Sequence, residues 1–175
     1  MPCPDPTLEI GSAQRPERVP WRVLSNMAGS DSFKTHPRRP SYGGGMTLRI
    51  DLFGLVVADM ERSLAFYRAL GLDIPAEADK EPHAEVTLPG GLRLAFDTVE
   101  TIRSFDPSWQ PPSGSARASL AFRCDSPAEV DETYARMTKD GHTGHLAPFA
   151  AFWGQRYATL TDPDGNAVDL FAALG

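Results

Sequence analysis

From Leu48 the chain reads Leu-Arg-Ile-Asp-Leu-Phe-Gly-Leu-Val-Val-Ala-Asp-Met-Glu-Arg-Ser-Leu-Ala-Phe-Tyr-Arg-Ala-Leu-Gly71, and its apolar period changes once, at Asp59. The apolar and β-branched run from Leu48 to Val57 predicts a strand, and Asp59 stands where a helix N-cap belongs. Met60, Leu64 and Tyr67 follow i, i+4, i+7 spacing, with Phe66 and Leu70 widening the stripe. Glu61 suits the positive end of the helix dipole, and Gly71 suits the position just past its C-terminus. Three shorter strands are expected around 73–77, 83–88 and 92–97, with Pro89-Gly90-Gly91 turning the chain between the last two.

The same order returns about 67 residues later. A strand at 117–124 leads to Ser126-Pro127-Ala128-Glu129, which combines an N-cap, a proline at N1 and a glutamate at N3. Val130, Tyr134 and Met137 form the apolar face of that helix, and Gly141 ends it as Gly71 ends the first. Strands near 144–147, 155–161 and 167–172 complete the unit. The expected class is therefore α+β: two βαβββ modules forming a curved mixed sheet around a central cleft, with helices on the outside. Module one spans 47–98, a loop 99–116, and module two 117–173.

Upstream, seven of the sixteen prolines fall within residues 1–45 with no sustained apolar period. Such a composition does not repay its ordering entropy, so 1–45 is read as a disordered extension ahead of a single domain at 46–175. Gly43-Gly44-Gly45 directly precedes Met46, and glycine codons are G-rich as ribosome-binding sites are. Natural translation is expected to start at Met46.

With 175 residues and a net charge of -6, the chain lacks the basic excess that nucleic acid or an anionic membrane surface requires. It has no run of roughly 18 apolar residues to span a bilayer and no secretory h-region. Its two cysteines, Cys3 and Cys124, are placed badly for a disulfide. A cytoplasmic protein with no nucleic-acid or membrane partner is expected.

Leu55-Val-Val-Ala-Asp-Met-Glu-Arg-Ser-Leu-Ala-Phe-Tyr-Arg-Ala-Leu-Gly71 and Asp162-Pro-Asp-Gly-Asn-Ala-Val-Asp-Leu170, with Leu120-Ala-Phe-Arg-Cys124 between them, resemble the opening and closing signatures of the vicinal oxygen chelate superfamily of glyoxalases, bleomycin resistance proteins and extradiol dioxygenases. The resemblance covers nearly all of 47–175. It implies a divalent metal held by side chains from the first and last strands of each module. Those positions fall on Leu52, Leu94, Ser119 and Asp169, of which only Asp169 is a good ligand, so neither a metal nor any other cofactor is expected. Trp153-Gly154 is similar to a feature of bleomycin-resistance-like members. The resemblance also implies a homodimer.

On the last strand Ala167, Asp169 and Phe171 share one face, so an acid stands in an apolar row, where it requires a partner or a proton. The turn Asp162-Pro163-Asp164-Gly165-Asn166 suits a three-residue hairpin loop, which places Thr159 across from Asp169 and Tyr157 diagonal to it. Arg117, Ser119, Ala121 and Arg123 are expected on the cleft side, either arginine being able to pair with Asp169. Leu52, Leu92, Leu94 and Phe96 are read as an apolar wall from module one, leaving Arg93 and Asp97 towards the helix. Trp109 and Trp153, on loops, supply aromatic contact area, whereas His83, His142 and His145 are read as surface histidines. The expected ligand-binding set is thus Leu52, Leu94, Phe96, Trp109, Arg117, Ser119, Trp153, Tyr157, Thr159, Asp169 and Phe171. Metal-independent binding of a hydrophobic or aromatic small molecule is the leading expectation. The alternative is a lyase, isomerase or oxygenase that uses Asp169 as catalytic base or as one ligand of an atypical metal site.

Overall fold

Both helices begin where their caps predict. The computed structural model describes residues 49–175, so the expectations for residues 1–45 and for a start at Met46 lie outside it. The elements are β1 (Leu52–Val57), α1 (Met60–Ala69), a 3₁₀ segment (Ala76–Lys80), β2 (His83–Thr87), β3 (Arg93–Thr98), α2 (Val99–Phe105), β4 (Ser119–Arg123), α3 (Pro127–Lys139), β5 (Thr143–Ala151), β6 (Gln155–Thr161) and β7 (Ala167–Ala173). The Asp59 carboxylate accepts from the Arg62 amide at 3.0 Å, and the Ser126 hydroxyl accepts from the Glu129 amide at 3.2 Å. Glu129 returns to the Asp125 amide, at 2.6 Å, one residue ahead of the usual capping-box donor. Gly71 and Gly141 end α1 and α3 with φ of 97° and 91°, a conformation that costs a residue with a Cβ.

The modules are α+β as expected, but their strands form two sheets, β1-β3-β2 and β4-β7-β6-β5, in place of one continuous curved sheet. In each, the strand before the helix pairs in parallel with the module's last strand, Leu52 beside Arg93 and Ser119 beside Ala167. Module one lacks the strand expected at 73–77. That segment has no alternation, carries Pro75, and is fastened by Arg68, which donates to the carbonyls of Ile74 (2.7 Å) and Pro75 (2.8 Å) and pairs with Asp79 (2.6 Å). The loop expected at 99–116 opens with α2, capped by the Thr98 hydroxyl on the Thr101 amide.

One apolar core serves both modules. It joins Leu55, Val57, Leu94 and Phe96 of the first sheet to Ala158, Leu160, Val168 and Leu170 of the second, with Leu64, Phe66 and Tyr67 of α1 and Val130 and Met137 of α3 among them. Helices α1 and α3 thus lie against this shared core, and each sheet turns its other face away from it. On the second sheet that other face carries Ser119, Tyr157 and Phe171, which are partly or fully exposed. Two concavities, of about 220 and 250 Å³, run along α1 where it meets the second module.

The modules are fastened by the Asp162–Asn166 turn. The Tyr67 hydroxyl donates to Asp162 at 2.8 Å, and the Ser63 hydroxyl and the Ala58 amide donate to Asp164 at 2.6 and 2.8 Å. Asp162 also accepts from the amides of Asp164 and Asn166 and from the Asn166 side chain. Burial, followed by the Asp162 charge, pushes the Tyr67 phenol far above its ordinary range, so it serves as a donor only.

Candidate functional site

The open face of the second sheet is built from alternate residues of four strands. Antiparallel pairing sets Thr159 opposite Asp169 and Tyr157 opposite Phe171, the register that the three-residue turn predicts. Ala121 lies beside Asp169 and Arg123 beside Phe171 on β4, while Leu146 and Phe149 of β5 face Thr159 and Tyr157. The apolar sides of these strands, Ala158, Leu160, Val168 and Leu170, go to the core and fix which side chains remain for the open face.

Asp169 is the buried polar centre of that face. It is only 6% exposed, and its Oδ1 accepts the Thr159 hydroxyl at 2.8 Å. Among the described residues no Arg, Lys or His pairs with it. The pairing with Arg117 or Arg123 allowed by the sequence is therefore absent, since both arginines are exposed at the β4 edge. Tyr157 stands diagonal to the acid: burial first, then the neighbouring Asp169 carboxylate, pushes its phenol up to about 12. In Asp169→Asn the carboxylate's contribution is lost and burial remains, so ultraviolet titration of Tyr157 should give a midpoint below about 12 but still above the ordinary ~10. An unchanged midpoint would separate Tyr157 from Asp169.

Above the acid stands an aromatic group. Phe149, Trp153 and Tyr157 meet in near-perpendicular pairs, with ring centroids 5.4 to 6.2 Å apart. The Trp153 indole N–H donates to Gln155 at 2.8 Å, which fixes the ring over the β5–β6 turn. Trp153 is nonetheless 48% exposed and Phe149 37%. The strand expected near 144–147 stops short of Phe149, which belongs to β5; the strand runs to Ala151 through two irregularities in its pairing with β6. Those bulges break the strict alternation from which a strand would be recognised.

Of the expected ligand-binding residues, this face gathers Ser119, Trp153, Tyr157, Thr159, Asp169 and Phe171. Arg117 lies just outside β4, and Trp109 packs elsewhere, with the Arg103 guanidinium 5.7 Å from its ring centroid. Leu94 and Phe96 are corrected: both are buried on the core side, and Phe96 packs on Tyr67 at 5.1 Å between centroids. A single alternating apolar row on an edge-exposed sheet goes to the core, because only that face is covered. Arg93 and Asp97 consequently occupy the open face of the first sheet with Leu52. The Arg93 guanidinium bridges Asp51 and Glu85, and His83 bridges Glu85 and Asp97 at 3.1 and 2.8 Å. The Asp97 hydrogen bond raises the His83 pKa above its ordinary value. This wall is charged where the sequence suggested an apolar one.

These donors do not suit the metal that the resemblance implies. Leu94 points into the core, Leu52 has no donor atom, and Asp169 stands alone with hydroxyl neighbours. Among the described residues no three His, Cys, Asp or Glu side chains are grouped to hold an ion.

Residues 49–170 match the family described as Glyoxalase/Bleomycin resistance protein/Dioxygenase superfamily. No curated protein matches the chain. Among solved structures, a glyoxalase/bleomycin resistance protein/dioxygenase from Nocardioides is 25% identical with a TM-score of 0.60, the match covering 75% of this chain and 87% of that one. A glyoxalase/bleomycin resistance protein/dioxygenase family enzyme from Burkholderia phytofirmans PsJN shares the fold at 18% identity and a TM-score of 0.63, over 73% of this chain and all of that one. A glyoxalase-related enzyme from Fulvimarina pelagi does so at 20% and 0.60, over 71% and 88%.

Proposed function

Because the chain belongs to the Glyoxalase/Bleomycin resistance protein/Dioxygenase superfamily, whose fold supports a small-molecule-binding or enzymatic role in general, we propose that it binds a hydrophobic or aromatic small molecule on the open face of the second sheet without a metal. The observation that carries this reading is the half-exposed Trp153 and Phe149 on the same face as a buried Asp169 that pairs with no cationic side chain among the described residues. Rings on a rigid sheet supply contact area at small entropic cost, and one polar group orients the ligand. Melting curves with a panel of aromatic compounds, recorded in chelator and again with added divalent ions, test it. A compound at one hundred times its Kd should stabilise the protein by about 2.7 kcal/mol in both conditions. Stabilisation that appears only with metal would overturn the proposal.

One sheet face is half a pocket, and enclosing a ligand requires a second wall. The protein acts as a homodimer in this proposal, a second copy covering the open face. Light scattering across a dilution series checks it, a monomer at all concentrations being the contrary result. No helix among the described residues is long and apolar enough to cross a membrane. A cytoplasmic setting is proposed, and the buried free thiol of Cys124 is consistent with it.

A second reading rests on Asp169 as a general base, favoured by its burial beside two hydroxyl groups. Turnover of a ligand found in the melting panel, lost in Asp169→Asn while binding persists, would select the enzyme over the binding protein.

A further inference from the structure

Charge balance on the binding face specifies the ligand further. Asp169 is only 6% exposed, yet among the described residues the one side chain that donates to it at hydrogen-bond geometry is the neutral Thr159 hydroxyl. A carboxylate so placed loses much of its hydration and receives no compensating cation from the described residues. Arg123 lies beside Phe171 on β4, is exposed, and makes no ion pair with Asp169. The acid is also not isolated: Tyr157, diagonal to it, is one of three rings that turn perpendicular to one another at 5.4 to 6.2 Å. The negative faces of aromatic rings attract cations, and they do so more strongly where water is partly excluded.

We infer that the ligand of this face is an organic cation, an aromatic or apolar body carrying a protonated or quaternary nitrogen that is received by Asp169 and the Phe149, Trp153 and Tyr157 rings. The inference rests on the reading of this face as a small-molecule site and adds the sign of the ligand's charge. Neutral aromatic compounds leave the Asp169 charge uncompensated, and carboxylates oppose it. A cation supplies what the described residues omit. The charged wall of the first sheet has the same bias, with three carboxylates, Asp51, Glu85 and Asp97, against Arg93 and a titrating His83. If a second copy presents that wall to the site, the local field favours a cation further.

The test is calorimetric titration of the full chain, in chelator and low salt, with three probes of one ring and different charge: benzyltrimethylammonium, benzyl alcohol and benzoate. The cation should bind about tenfold or more tightly than either of the others. Asp169→Asn should reduce that preference to about twofold or less while benzyl alcohol still binds. Trp153→Ala should weaken binding of all three, which shows that the aromatic group is engaged. Benzyl alcohol or benzoate binding as tightly as the cation in the unmodified protein overturns the inference and leaves the small-molecule site intact. Survival of the cation preference in Asp169→Asn also overturns it. Binding of none of the three overturns both this inference and the site on which it rests. The comparison of probes on the unmodified protein decides the matter even if the Asp169 variant folds poorly.

Discussion

Asp162→Ala should lower the stability of the folded protein by about 3 kcal/mol, because it leaves a buried phenol and several turn amides without their acceptor. Asp162 is 4% exposed and accepts from Tyr67, 95 residues away, and from the amides of Asp164 and Asn166 and the Asn166 side chain. Its removal also frees the turn that presents Asp164 to Ser63 and to the Ala58 amide. Thermal or urea unfolding measures the change, expected as a fall of roughly 10 °C in Tm. Tyr67→Phe removes a single donor and should cost about 1 kcal/mol, and the double variant should cost less than the sum because the two groups share one hydrogen bond. A loss below about 1 kcal/mol in Asp162→Ala would mean that apolar packing alone joins the modules.

The same contact has an alkaline signature. Burial and Asp162 raise the Tyr67 pKa in the folded state above the ~10 of the unfolded chain, so the native protein keeps a proton that the unfolded chain releases. Its contribution is complete below about pH 10 and is lost as pH rises from there, with a slope of up to about 1.4 kcal/mol per pH unit. Stability measured from pH 8 to 11 should therefore fall more steeply in the unmodified protein than in Tyr67→Phe.

Phe96→Ala should cost about 3–5 kcal/mol, as expected for emptying a fully buried aromatic site. Phe96 is 0% exposed and touches Tyr67, so the cavity would open between the first sheet and α1. Were Phe96 on a ligand-facing wall, its truncation would weaken ligand binding and spare stability. Asp97→Ala, one residue along and on the other face, should change stability by less than about 1 kcal/mol, since it removes one partner of an exposed histidine. Comparable losses in the two variants would show that the strand faces are not divided this way.

How far residues predict structure here depends on how locally each feature is specified. The helix at Ser126 is capped by atoms within three residues, and its start is read directly. The β6–β7 hairpin is set by a turn of Asp, Pro, Gly and Asn, so the facing of Thr159 and Asp169 follows from chain geometry alone. The segment at 73–77 misled because its fate is settled by Arg68 six residues back, a side chain whose reach no propensity encodes. Phe149 was missed because bulges in β5 break the period that marks a strand.

By itself, then, the sequence determined the two-module order, the starts of α1 and α3, the hairpin register and the acid set among aromatics, all consequences of interactions within a few residues or of strand alternation. Only the tertiary structure decided which of two alternating faces each strand of the first module buries, since a row of apolar residues fits a core or a pocket equally well until another element covers it. It also decided that Asp162 and Asp164 belong to the contact with Tyr67 and Ser63, across some hundred residues, and that Asp169 pairs with neither Arg117 nor Arg123. The Asp162 and Asp164 contacts turn on the packing of α1 against the second module, and the missing arginine on the exposed position of β4 at the sheet edge, non-local outcomes that no local pattern contains.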